Sequence, residues 1–310
     1  MTATMTRSTY EDTVRRLSRQ SVDKHFDAYA DVDWDAPDMA VDPDDPRFEL
    51  PAVDPLGATD WYRSLPPATR SRIGLHRVAA AMKVGEQFES LLKRGLLEFA
   101  AKLPNGDPEF RYVYHEVIEE AQHSLMFHEF VDRSDIDVRG MSAPIRFFSR
   151  GVLLLARFFP AFFFVFVLGG EDPIDHIQRQ ALRDGDATMH PLVQRIMRIH
   201  VTEEARHLSF ARAYLRRRVP QMNFLSRAIL RVGAPVILGV MALLMLAPPR
   251  SLVRTYRVPR RVLWRTYVAG ASARREAKDA VAKPRRLCVE LGLVGPIIRP
   301  FWRLAGIWDA

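Results

Sequence analysis

The sequence predicts an all-α fold: a helical bundle carrying a two-metal carboxylate centre, with extra helices beyond the bundle. Three observations predict it. Glu120-x-x-His123 and Glu204-x-x-His207 each place a carboxylate and an imidazole one turn apart on one helical face. A single glutamate precedes each pair by about a helix, a turn and an antiparallel return. Glu89 lies 31 residues before Glu120 (120 − 89) and Glu171 lies 33 before Glu204 (204 − 171). Apolar residues between Pro67 and Val219 recur at helical spacing, punctuated by Pro and Gly. A bundle holding two metals draws one Glu from each of two helices and a Glu-x-x-His from each of the other two.

Taken in order, Met1–Ser8 is expected to be loose, and Tyr10–Val22 has helical spacing with Leu17 and Val22 on one side. Residues 26–66 repeat Asp without period among Pro37, Pro43 and Pro46, which reads as an extended arm wrapping the domain. A long helix runs from about Pro67 to Leu103 through Phe88, Leu91 and Leu92 and ends at the turn Pro104–Asn105–Gly106–Asp107. The next, Pro108 to about Asp132, carries Glu120 and His123. After Arg139–Gly140 come two apolar pieces split by Pro160; the second delivers Glu171, and Pro173 starts or kinks a turn of helix just beyond. Gly185 and Pro191 bracket a break before the helix Leu192–Val219.

Val232–Pro248 is uncharged but short for a membrane span, which needs about 20 residues, so it is expected to be a buried bundle helix. Arg250–Lys283 is basic with helical spacing, and Cys288–Ile307 is largely apolar. The organisation expected is an N-terminal helix and arm over 1–66, a metal-binding bundle over 67–250, and a basic helical extension over 251–310 packing on it.

At 310 residues, 48% hydrophobic and 26% charged, the composition is that of a globular chain, not a disordered one. Cys288 is the only cysteine, which excludes an internal disulfide framework and a thiolate metal site and fits a reducing cytoplasm. Met1–Gln20 has no signal-peptide layout. The net charge of +8 is uneven: residues 211–310 carry 20 Arg and Lys against 4 Asp and Glu. No nucleic-acid module accompanies that charge. A solvated Arg-rich face is the reading adopted, with peripheral membrane contact kept as an alternative.

His200 extends the second pair to His200-x-x-x-Glu204-x-x-His207, offsets that return to one helical face. Mixed carboxylates and imidazoles without thiolates suit iron, and four carboxylates balance two Fe(II); manganese or zinc would accept the same donors. Glu86 shares a face with Glu89 and competes for the first position; Glu89 is chosen because its separation from Glu120 better matches the antiparallel return. Glu119 and Glu203 sit about 100° from the metal face and read as supporting or surface groups. His115, His128 and His176 are off-phase and read as ordinary polar positions, and the Phe run before Glu171 reads as core.

The set Glu89, Glu120, His123, Glu171, His200, Glu204 and His207 resembles the AurF-type di-iron oxygenases, the p-aminobenzoate N-oxygenase family. Ferritin-like di-iron sites usually carry two histidines; this family adds a third one turn before the last Glu-x-x-His, the place of His200. The resemblance covers roughly residues 60–250. It implies a ferritin-like fold, usually dimeric, with these seven residues as metal ligands and catalytic centre, two Fe ions as cofactor, O2 as co-substrate, and a protein or other external electron donor. The implied reaction is oxygenation of an aryl amine, a small-molecule substrate.

Four other readings compete. A ribonucleotide reductase radical subunit would place a tyrosine where Phe127 stands, and an iron-storage subunit is far shorter and lacks the extra histidine. A membrane-surface or interaction protein would leave the ligand set unexplained. C–H hydroxylation or desaturation of a lipid-like substrate by the same centre stays open as the alternative chemistry.

Overall fold

A computed structural model describes residues 5–184 and 189–308. Helix α1 (Arg7–Asp23) is capped by Thr6, whose hydroxyl accepts from the Thr9 amide. It begins inside the segment expected to be loose because that cap satisfies an otherwise orphaned N–H. Tyr10, Val14 and Leu17 are its buried face; Val22 lies outside it and is exposed. The arm that follows has only short turns before α2 (Asp60–Arg63). It is held by polar contacts: Trp34 donates its indole N–H to the Ala28 carbonyl, and Arg133 donates to the Trp34 carbonyl.

Two long helices pack against each other next, α3 (Pro67–Ala100) and α4 (Pro108–Ser134). Gly106, at φ +83°, makes the turn between them, and the Asp107 carboxylate accepts from the Glu109 amide at the start of α4. The apolar pieces beyond Gly140 form α5 (Ala143–Ser149), α6 (Gly151–Phe158) and α7 (Pro160–Asp184). Pro160 opens α7, and Pro173 is accommodated inside it. Gly185 lies outside the described residues. Helix α8 (Pro191–Arg218) returns along α7, completing four long helices of a ferritin-like bundle. Among the described residues there is no strand.

Two glycines allow the helices to close on the centre. A Cβ on Gly170, beside Glu171, would fall into the Phe88 ring, beside Glu89; one on Gly95 would fall into the Phe163 ring. Phe163 and Phe164 are fully buried with Phe210 and Tyr214, so the Phe run before Glu171 is core.

Helix α9 (Phe224–Leu246) packs on α7. It corrects the expectation of a buried helix over Val232–Pro248. Leu230, Ala234, Leu238 and Met241 are buried, but Leu225, Ile229, Val232, Val236, Val240 and Leu243 form a continuous exposed stripe on the opposite face. Length and apolarity would suit a membrane span, and the sequence says nothing of what covers each face. The basic segment after it is broken by Pro249, Pro259 and Gly270 into α10 (Arg250–Thr255), α11 (Arg260–Leu263) with a π turn to Val268, and α12 (Ala271–Ala280). Helices α13 (Ala282–Glu290) and α14 (Arg299–Leu304) finish the chain; Arg216 of α8 grips Glu290 through two hydrogen bonds at 2.8 and 2.9 Å. Leu287 and Trp302 join the same core as α7 and α8.

Candidate metal centre

Each of the four long helices delivers buried donors to one place. Glu89 comes from α3, Glu120 and His123 from α4, Glu171 from α7, and His200, Glu204 and His207 from α8; none exceeds 2% exposure. Ligand atoms gather in overlapping groups, each within 4.8 Å: Glu89 with His123 and His200; Glu120 with His123 and Glu204; Glu171 with His200 and Glu204; and Glu116 with Glu120 and His207. All seven residues expected from sequence are brought together. Glu86, the competitor of Glu89, pairs instead with Lys83 and His128 toward the surface. His128 is exposed and His115 meets Arg111, apart from the centre.

Glu120 and Glu204 lie between the two imidazoles. His207 Nδ1 is 3.1 Å from Glu120 and 3.0 Å from Glu204; His123 Nδ1 is 3.2 Å from Glu120 and 3.7 Å from Glu204. His200 presents Nε2, 3.7 Å from Glu89 and 3.9 Å from Glu204. Its ring lies 4.6 Å from that of His123, and its ligand atoms group both with Glu89 and His123 and with Glu171 and Glu204.

Glu119 and Glu203 are buried. His207 Nε2 donates to Glu119 across the bundle at 2.7 Å, and His123 Nε2 donates to Glu203 at 2.9 Å. Each carboxylate therefore holds the histidine of the opposite helix with Nδ1 turned inward. Arg206 donates to both carboxylates, and Glu203 also accepts from the Phe26 amide of the arm. Such carboxylate–imidazole pairs fix the tautomer and aim of a metal-binding ring. Arg206 and Glu116 join the site without having been expected from the sequence. Glu116 stands one turn before Glu120, as His200 stands before Glu204, and that parallel was the available signal.

The electrostatics follow from crowding acids in a dry interior. Burial, then the neighbouring carboxylates, push Glu89 and Glu171 well above the usual range. Burial, with Glu120 and Glu204 nearby, raises Glu116 to about 8 against the opposing pull of His207. Burial would lower His123, but its hydrogen bonds to Glu120 and Glu203 carry it to about 9. Burial would raise Glu119, yet His207 and Arg206 bring it down to about 2. His200, with burial and then His123 against its charged form, falls well below the ordinary value and presents a neutral ring.

Buried oxygens of Glu89, Glu116, Glu171 and Glu204 have no hydrogen-bond partner. Acceptors left over in this way, beside imidazoles already oriented by carboxylates, fit divalent metal ions with oxygen and nitrogen donors. A surface cleft of about 580 Å³ between α1 and the α3–α4 turn, lined by Arg15, Arg19 and Phe110 among others, contains none of these donors.

The family described as P-aminobenzoate N-oxygenase AurF matches residues 7–292. An uncharacterized protein of Mycobacterium bovis and two from strains of Mycobacterium tuberculosis are 40% identical over 298 residues, covering 96% of this chain and 87% of each relative. No solved structure matches. With nearly its whole length matched and four bundle helices converging on buried carboxylates and imidazoles, the chain belongs to the AurF family of di-iron oxygenases.

Proposed function

We propose that the chain oxygenates the nitrogen of an aryl amine, using O2 at two irons held by Glu89, Glu120, His123, Glu171, His200, Glu204 and His207. The observation that carries the reading is the convergence of seven buried donors from four helices, with His123 and His207 each oriented by a carboxylate of the opposite helix. Iron would supply the electrons and the binding of O2. The protein's own part is positional. Glu119 and Glu203 accept from each Nε2 and so aim each Nδ1 at Glu120 and Glu204, where its lone pair would bind a metal. Phe88 and Phe127, both buried beside the donors, exclude water and limit side reactions. A cytoplasmic homodimer fed by an external electron donor completes the reading. Incubating iron-loaded protein with reductant, O2 and a panel of aryl amines tests it: N-oxygenated product is expected, and amines recovered unchanged while O2 is consumed would contradict it.

A second reading, C–H hydroxylation or desaturation of a lipid-like substrate at an anionic membrane surface, is favoured by α9. Its exposed apolar stripe lies one helix from the centre, since Leu238 and Met241 on its inner face pack at Gly169, two residues before Glu171. No Asp or Glu occurs between Glu204 and Glu276, whereas Arg227, Arg231, Arg250 and Arg254 occupy that stretch. Two such faces would repel each other, while anionic headgroups complement them. Flotation with phosphatidylglycerol vesicles, lost in Val236→Asp, supports this reading; no vesicle binding at low salt sinks it.

A further inference from the structure

Helices α4 and α8 run antiparallel through the centre, because His123 meets His200 and Glu203 while Glu119 and Glu120 meet His207. One turn back along α8 from Glu204 therefore leads toward His123, and that is where His200 lies. One turn back along α4 from Glu120 leads toward His207, and there lies Glu116. The two helices thus carry matching triplets, Glu116–Glu120–His123 and His200–Glu204–His207, each with its first member at the other's histidine.

Glu116 is 1% exposed, and its Oε2 has no hydrogen-bond partner. Tyr112, one turn further back, is fully buried with its hydroxyl toward Glu116. A carboxyl group with an unpartnered oxygen in such a place stays ionised only where a cation meets it. A ligand oxygen of Glu116 lies within 4.8 Å of ligand atoms of both Glu120 and His207, close enough for one ion to touch all three.

We infer that Glu116 is an eighth protein donor, binding the metal at the His207 end as His200 binds the metal at the His123 end. Glu120 and Glu204 are shared between the two positions. The metals are then inequivalent: one has the neutral His200 imidazole as its additional donor, the other an anionic carboxylate. The charge difference favours the oxidised state at the His207 end.

This inference rests on the two-metal reading, and the test separates them. Anaerobic titration with Co(II) alone, followed by calorimetry and ligand-field absorption, should give two equivalents per chain in the unchanged protein. Glu116→Gln keeps the shape of the side chain and a polar end for Tyr112. It should weaken one of the two Co(II) steps at least about tenfold and alter that site's absorption while sparing the other. His200→Ala should weaken the opposite step. Two equivalents in the unchanged protein, with both steps and both spectra intact in folded E116Q, would overturn the inference alone. Equal weakening of both steps would also overturn it. Fewer than two equivalents in the unchanged protein would overturn the two-metal reading and this inference together.

Discussion

His207 Nε2 on α8 donates a 2.7 Å hydrogen bond to Glu119 on α4, and the reciprocal bond runs from His123 on α4 to Glu203 on α8. The two helices that carry the Glu-x-x-His pairs are strapped by the residue just before each metal-facing glutamate. Arg206 ties the straps together by donating to both carboxylates. Removing a strap should therefore loosen the metal rather than delete a donor. Glu119→Ala and Glu203→Ala are expected to lose about 10- to 100-fold in Fe(II) affinity, measured by competition with a chelator. Unchanged affinity in both would mean the histidines are aimed by packing alone.

The first donor position separates Glu89 from Glu86. Glu89 is buried among His123, His200 and Glu120, whereas Glu86 pairs with Lys83 and His128 at the surface. Glu89→Ala should lose iron, and Glu86→Ala should keep it and change stability by less than about 1 kcal/mol. Iron analysis of the two purified variants decides, and the reverse ranking would move the first donor to Glu86.

Close approach of α3 and α7 depends on Gly170. A Cβ there would enter the Phe88 ring, and Phe88 adjoins Glu89. Gly170→Ala should cost about 1–3 kcal/mol through overpacking and should also weaken iron binding by parting Glu89 from Glu171. Thermal melts with and without iron read both effects; a variant as stable as the parent would show that the helices are not held at this spacing by the glycine.

His190 and His76 give a pH dependence independent of the metal. Both are buried, and burial lowers the pKa of each below the ordinary value of 6.5. The unfolded chain then takes up protons that the folded chain refuses. Their contribution to stability is present above about pH 6.5 and is lost as pH falls through that value toward the folded one. His190 stacks on Phe48 and accepts from the Leu192 amide at the start of α8. The melting temperature should drop between pH 7.5 and 5.5, and His190→Asn, which keeps an acceptor for Leu192, should flatten that drop. An equal drop in the variant would assign it to other groups.

Much of the bundle was legible because its punctuation is local. Pro67, Pro108, Pro160 and Pro191 open their helices, and Gly106 makes its turn through a positive φ that only a residue without a side chain adopts cheaply. The seven donors could be grouped because helical phase is a property of spacing. Glu116 was passed over because a Glu four residues before another Glu is common on solvated helices; its burial depends on where His207 arrives from another helix. The straps at Glu119 and Glu203 likewise needed the antiparallel register of α4 and α8. The exposed stripe of α9 was illegible for the opposite reason: an all-apolar segment states that it can be covered, not which side is.

The most direct test of the account is the iron content of protein reconstituted anaerobically with Fe(II), followed by mixing with O2 under optical observation. Two irons per chain and an O2-dependent absorption change, both lost in Glu204→Ala, are predicted from the shared position of Glu204 between the donor groups. Saturation at one iron per chain, or two irons that do not react with O2, would contradict it.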